Sequence, residues 1–184
     1  NNDTELVEKS RNLIEKMASK ASNSNIGAVG CLLLYGDKKT VQHGGVFLVE
    51  GGLADHIAVG SKYKSSLRNT PIGLDYNKDK QLVAVTGAAI IIERKKFDKV
   101  VGFDENFIVC GGDVDLCIRL LKAGFKTWYI GSGYILHKES QSRKGQTISN
   151  NDFVLSYKSY MKAYDEKNVD PFVGKYIYSE KSNA

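Results

Sequence analysis

The stretch from residue 83 to residue 140 constrains the fold more than any other part of the chain. VAVTGAAIIIERKKF, VGFDENF, GGDVDLCIRLLKAGFKTWYI and ILHKES follow one another there in that order. By periodicity this is an apolar strand with small residues at its middle, a carboxylate pair opening a helix, a further strand, and a histidine followed by Glu-Ser. Alternation of this kind calls for an α/β architecture, with helices covering a central sheet.

The remainder continues the alternation. Residues 5–21 read as a helix, because Leu6, Leu13, Ile14, Met17, Ala18 and Ala21 share a stripe and Thr4 or Asp3 is placed to cap it. Residues 26–35 form a mostly apolar strand, 36–39 a turn, and 40–50 a second strand holding His43 and a Gly pair, together a hairpin. Residues 51–80 are polar and weakly periodic, which predicts a long loop and a candidate acceptor segment. A buried strand at 81–92 and a short helix at 93–100 closed by Gly102 come next. The helix at 114–123 has Asp113 as its N-cap and Gly124 as its stop. Strands at 126–130 and 134–137 precede an amphipathic helix over 152–166, whose Phe153, Tyr157, Tyr160, Met161 and Tyr164 are available to pack on the body. The expected division is a main unit at 1–150 and a C-terminal helix and tail at 151–184 packing on it.

Composition removes several classes. With 184 residues, 42% hydrophobic and 26% charged, the chain is sized for one globular domain with a real core. The longest nearly apolar run, residues 82–92, is about half of the roughly 20 residues a bilayer crossing needs. Three cysteines without C-x-x-C spacing suggest neither a disulfide framework nor a zinc knuckle, and point to a reducing compartment. The net charge of +5 is scattered, with denser groups at Arg94-Lys95-Lys96 and Arg143-Lys144. Basic and aromatic residues do not interleave as a stacking platform requires, so nucleic acid is not an expected partner. The chain opens at Asn1 with neither a basic leader nor an apolar signal core, which predicts a piece of a longer protein or a processed form.

Chemistry gathers at four places. Asp113 and Asp115 stand two residues apart at a helix start, point in different directions and cannot do the same job. They are either a cap and a first-turn acid, or a working carboxylate at a pocket mouth beside one that favours the helix dipole. Thr86-Gly87-Ala88-Ala89 marks either a bulge or backbone that a sugar or nucleotide ring approaches. His137 is structural, or a ligand if a carboxylate joins it. Asn1-Asn2-Asp3 supplies such a carboxylate, unless Asp3 only caps a helix.

Taken in order, Asn1-Asn2-Asp3, Gln42-His43-Gly44-Gly45, Ala54-Asp55-His56, Val85-Thr86-Gly87-Ala88, Gly102-Phe103-Asp104-Glu105, Asp113-Val114-Asp115-Leu116-Cys117, Ala123-Gly124-Phe125, His137-Lys138-Glu139-Ser140 with Ser142-Arg143, and Asp170-Pro171-Phe172 span nearly the whole chain. They resemble the bacterial family 2 glycosyltransferases that build cell-surface polysaccharides. The resemblance implies the C-terminal half of a GT-A (nucleotide-diphospho-sugar transferase) fold, a mixed central sheet flanked by helices. It further implies inverting transfer from a nucleoside-diphosphate sugar donor to a hydroxyl of a glycan or lipid-linked glycan acceptor. Asp113 corresponds to the catalytic base. Asp3 and His137 correspond to ligands of a divalent cation, Mn²⁺ or Mg²⁺. Thr86, Gly87, Ala88, Asp115, Glu139, Arg143 and His56 are the implied substrate-binding residues, with Arg143 suited to clamp phosphate oxygens. The implied location is the cytoplasm, with peripheral association at the inner face of the membrane left open. The part of the domain that holds the donor's base and ribose would precede Asn1, so this stretch alone is expected to be inactive. The alternative is a non-catalytic binding or scaffold module of the same fold; Gly112, where relatives commonly carry an acidic residue or Asn, points that way.

Overall fold

A computed structural model describes residues 1–49, 53–65, 74–138, 149–164 and 170–173. Two long parallel strands form its centre, β2 (Ile26–Tyr35) and β8 (Lys126–His137). All of β2 except Tyr35 is buried, the pattern of an interior strand covered on both faces. Side chains alternate between the faces at period two. Val29, Cys31 and Leu33 cluster with Leu13, Met17 and Ala21 of α1 (Leu13–Ala21). Ala28, Leu32 and Leu34 cluster with Leu116, Cys117 and Leu120 of α3 (Gly112–Lys122). The result is an α/β/α sandwich with the mixed central sheet that the sequence implies.

Each central strand serves two neighbours, one per half. Along β2, β7 (Ile90–Ile92) pairs antiparallel with residues 28–30, and β3 (Val41–His43) with residues 33–34. Along β8, β6 (Lys80–Leu82) pairs with residues 127–129, and β1 (Thr4–Leu6) with residues 135–137. A separate antiparallel ribbon joins β4 (Val46–Val49) to β5 (Leu53–His56).

The β2–β8 register jumps from Cys31↔Ile130 to Leu32↔Tyr134, so Gly131, Ser132 and Gly133 bulge out of the ladder. A Cβ on Gly131 would lie 2.4 Å from the Tyr76 carbonyl oxygen, an approach only glycine allows. Asp79 Oδ1 accepts the N–H groups of Gly131 and Ser132 at 3.0 and 3.2 Å. Lys16 of α1 donates to Asp79 Oδ2 and Ser132 Oγ at 2.7 and 2.6 Å. The two extended pieces expected at 126–130 and 134–137 are therefore one strand.

Other expectations change for identifiable reasons. Residues 4–6 are a strand rather than the start of a helix, because β8 offers them an edge; Leu6 is half exposed and never joins the α1 stripe. The strand expected over 40–50 breaks at Gly45, where φ is +104° and a Cβ would strike Leu82 Cδ1 at 2.1 Å. The predicted loop at 51–80 contains β5 and the first residue of β6, while residues 66–73 lie outside the described residues. The strand expected at 81–92 is divided by a 3-10 turn at Gly87–Ala89. Helix α4 (Asn150–Tyr160) starts at Ser149, whose Oγ accepts the Asp152 N–H, and buries Asp152, Ser156 and Tyr160 while Phe153 and Tyr157 stay exposed.

Lys96 in α2 (Arg94–Lys99) fastens this framework. Its side chain is 4% exposed, and its ammonium donates to the carbonyls of Ala21, Asn23 and Ile26 at 2.8, 2.7 and 2.8 Å and faces Glu93 at 2.9 Å. Hydrogen bonds to a charged group contribute about 1.5–3 kcal/mol, and orphaned buried carbonyls add a desolvation cost. Lys96→Met is expected to destabilise the chain by about 2–4 kcal/mol and to lower Tm by roughly 5–12 °C in thermal unfolding. Lys95→Met, which removes an exposed ion pair to the same Glu93, should shift Tm by no more than about 2 °C.

Candidate active site

A cavity of about 750 Å³ opens where β2 and β8 end, lined by Leu33, Tyr35 and His137 among others. In the β1–β8 ladder Thr4 stands opposite His137, which sets the preceding Asp3 beside the imidazole. Asp3 Oδ1 is 3.0 Å from His137 Nε2. Gln42 Oε1, at 2.8 Å, accepts the hydrogen on His137 Nδ1, and Asn1 Nδ2 is 3.3 Å from Nε2. With Nδ1 carrying the hydrogen, the Nε2 lone pair and a carboxylate oxygen face one another. Asp3 Oδ1 is buried and has no hydrogen-bond partner. Two acceptors this close need an electropositive partner between them, either a hydrogen on Nε2 or a metal cation. A carboxylate oxygen and an imidazole nitrogen suit a divalent cation such as Mn²⁺, and the Gln42 contact is the kind that fixes the orientation of a ligating imidazole. Among the described residues no group of three or more His, Cys, Asp and Glu side chains gathers, so these two would leave the remaining coordination to substrate and water.

Helix α3 begins after Gly111, which holds φ +93° and takes the N-cap position predicted for Asp113. Asp113 sits in the first turn, where Oδ2 accepts the Gly87 N–H at 2.7 Å and Oδ1 its neighbour's, Val114 N–H, at 2.9 Å. A Cβ on Gly87 would stand 3.3 Å from Asp113 Cβ, so the glycine brings backbone close to the aspartate. Thr86 Oγ1 accepts the Ala88 N–H at 3.3 Å and shapes the same turn. Each Asp113 oxygen keeps lone-pair capacity, which a proton acceptor needs.

His56 on β5 meets His43 on β3, Nδ1 to Nδ1, at 2.7 Å. His43 Nε2 accepts the Thr86 N–H at 3.4 Å. Burial first, and then the neighbouring His56, push the His43 pKa well below its ordinary value.

Asp3, His56, Thr86, Gly87, Ala88, Asp113 and His137 thus line one cavity. Asp115 is not among the lining residues. Its Oδ2 accepts from Arg119 Nε at 2.7 Å and its Oδ1 from Ser159 Oγ at 2.6 Å, which joins α3 to α4. Glu139 and Arg143 lie outside the described residues. Sequence reasoning assigned no role to Gln42 or His43, although two polar residues in a buried strand must find partners; it read Phe153 and Tyr160 as packing residues and gave Phe103 and Phe107 no side-chain role, and these four form an aromatic part of the lining.

Asp152 shapes that aromatic part. Fully buried, it accepts three successive N–H groups, from Ile108, Val109 and Cys110 at 2.8, 2.7 and 3.1 Å, and so holds the loop that carries Phe107. These bonds, the Ile108 one foremost, hold its carboxyl below the usual range. A pKa depressed by folding adds stability that is present above the unfolded value of about 3.9 and is lost as pH falls through the folded value. Asp152→Asn, which replaces an accepting oxygen by a donor, is expected to lower Tm at neutral pH. The gap to wild type should narrow below about pH 4, whereas a gap constant down to about pH 3 would show that the charge contributes nothing.

No helix among the described residues is long and apolar enough to cross a membrane. No family model matches the chain. It is similar to the O-antigen biosynthesis protein RfbC of Myxococcus xanthus, 34% identical over 177 residues, which are 96% of this chain and 13% of that protein. It is also similar to N-acetylglucosaminyl-diphospho-decaprenol L-rhamnosyltransferase of Mycobacterium tuberculosis, 38% identical over 58 residues, 32% of this chain and 19% of that protein. The chain therefore spans only a minor part of either relative's length. Among solved structures, GalNAc-T7 with UDP, GalNAc and Mn²⁺ superposes with a TM-score of 0.51 over 83% of this chain and 29% of that chain, at 12% sequence identity.

Proposed function

From the premise that this chain carries a GT-A glycosyltransferase fold of the kind used in cell-surface polysaccharide pathways, we propose that its protein transfers a sugar from a nucleoside-diphosphate donor to a hydroxyl of a growing bacterial surface glycan, with inversion. One observation carries the reading: a carboxylate anchored by a peptide N–H and a carboxylate–imidazole pair with the donor set of a cation site line the same cavity.

The acceptor hydroxyl must lose a proton as it attacks the anomeric carbon, and Asp113 is the base. Its anchoring by Gly87 N–H fixes its direction before substrate arrives, so little reorganisation accompanies the proton transfer. Asp3 and His137 would hold the divalent cation, which would supply charge neutralisation for the departing diphosphate. Gln42 keeps the His137 ring in the tautomer whose Nε2 is open to a ligand. The backbone at Thr86, Gly87 and Ala88 offers the close approach a sugar ring needs. A lipid-linked glycan is a suitable acceptor, as the name of the mycobacterial relative suggests for that enzyme, and the reaction belongs in the cytoplasm where nucleotide sugars are held.

In the full-length protein, Asp113→Asn is expected to lower kcat by about 10²–10⁴-fold with nucleotide affinity nearly unchanged; wild-type turnover would remove Asp113 from catalysis. Gln42→Ala should weaken Mn²⁺ binding, followed by electron paramagnetic resonance with nucleoside diphosphate present, by about 10–100-fold. Asp3→Asn should weaken it at least as much, and unchanged Mn²⁺ affinity in both variants would dismiss the cation site. Metal-dependent release of one nucleoside diphosphate from a panel of nucleotide sugars would name the donor. Nucleotide binding without release, in the presence of acceptor, would instead mark a binding module.

A further inference from the structure

Besides the Asp3–His137 pair, the cavity lining holds the carboxylates of Asp55 and Asp113 and the imidazoles of His43 and His56, and the hydrogen bonds behind Asp113 and His56 set the roles of these two apart. A neutral imidazole carries one hydrogen, on one nitrogen. His43 is fully buried and its Nε2 accepts the Thr86 N–H, so its own hydrogen is on Nδ1. That hydrogen meets His56 Nδ1 at 2.7 Å, which must accept it. His56 is then obliged to carry its hydrogen on Nε2. One peptide N–H thereby fixes the proton positions in both rings.

The two hydrogen bonds of His43 oppose any other arrangement. Charging His56 would set two hydrogens between the Nδ1 atoms. Moving the His43 hydrogen to Nε2 would oppose it to the Thr86 N–H. The rings meet edge to face, with centroids 4.8 Å apart and planes at 75°. The chain beside them is tied, since Gly44 N–H donates to the Ile57 carbonyl at 3.0 Å and Ile57 N–H to the Gly45 carbonyl at 2.9 Å. A Cβ on Gly44 would lie 2.7 Å from the Ile57 oxygen, so the two segments are in close contact. Burial of His43 acts in the same direction by disfavouring a charged ring.

We propose that His43 is a positioning residue that makes His56 an Nε2–H hydrogen-bond donor and, through Thr86 N–H, holds the turn whose next peptide, Gly87 N–H, anchors Asp113. Asp113 is then the base, and His56 meets hydroxyl or phosphate oxygens of the substrates only as a donor. The roles toward substrate rest on the transferase reading; the proton positions do not.

The test is a ¹⁵N spectrum of the histidine rings of the wild-type chain at about pH 7, with no substrate added. The expected pattern is a hydrogen on Nδ1 and a bare Nε2 in His43, the reverse in His56, and a coupling across the hydrogen bond between the two Nδ1 atoms. The Nδ1–H form is the less populated tautomer of a free histidine, so its presence in His43 is diagnostic. A hydrogen on His43 Nε2, or a doubly protonated His56, overturns the proposal. In the full-length protein His56→Gln, which keeps a donor, should raise KM while lowering kcat less than about tenfold. A kcat loss equal to that of Asp113→Asn would make His56 a base and overturn the assignment of roles. Because the spectra need no turnover, an inactive wild-type protein would bear on the transferase reading alone.

Discussion

Peptide hydrogen bonds between β2 and β8 form the frame on which the candidate carboxylate–imidazole pair is assembled. The ladder runs parallel from Ile26↔Lys126 to Tyr35↔His137, and its upper end delivers His137 to the cavity. Neighbouring strands bring the histidine's partners from either side: β1 carries the chain from Asp3 past His137, and β3 presents Gln42. The three residues come from three strands that need only hold register to meet. A slip of one residue in any of these strands would turn its own contribution to the wrong face and break the cluster.

The charged groups of the interior divide by how completely the protein itself satisfies them. Lys96 meets three carbonyls, Asp152 three N–H groups, and Asp79 two N–H groups and a lysine. Asp115 is similarly occupied by Arg119 and Ser159. Such residues organise backbone that has no other partner and have little capacity left for a ligand. Asp3 differs, because one of its oxygens is buried beside an imidazole lone pair with no donor to meet it. Arg119 Nη2 also lacks a partner, but the rest of its guanidinium is bonded to Asp115 and to the Val100 and Gly102 carbonyls, whereas Asp3 lines the cavity beside an imidazole.

The sequence showed the layered architecture through alternating periodicities, and the order of short motifs brought Asp3, Asp113 and His137 forward together. What it hid were contacts made across long separations. Gln42 is 95 residues from His137 and His43 is 43 from Thr86, and no local pattern links either pair. Residues 4–6 became a strand only because β8 has an open edge there. Phe153 and Tyr157 looked like packing residues because apolar counting ignores a carboxylate. The claim of Asp152 on three peptide groups turns the helix so that its polar side faces inward. Arg119, four residues after Asp115, was a visible hint that this acid had a partner within its own helix.

The bulge in β8 has an evolutionary corollary. Before it, Tyr129 belongs to the cluster beneath α3 and Ile130 to the one beneath α1; after it, Ile135 lies on the α1 side and Leu136 on the α3 side. An excursion of three residues, an odd number, has exchanged the faces that even and odd positions occupy. The faces of the residues after it are set by their pairing with Leu32 to Tyr35 of β2 and not by the number of residues in the excursion, so losing a single residue there would leave Leu136 on the α3 side and His137 where it is. Lineages of this fold can therefore change length at this point by single residues without turning the imidazole, provided the ladder resumes at Leu32.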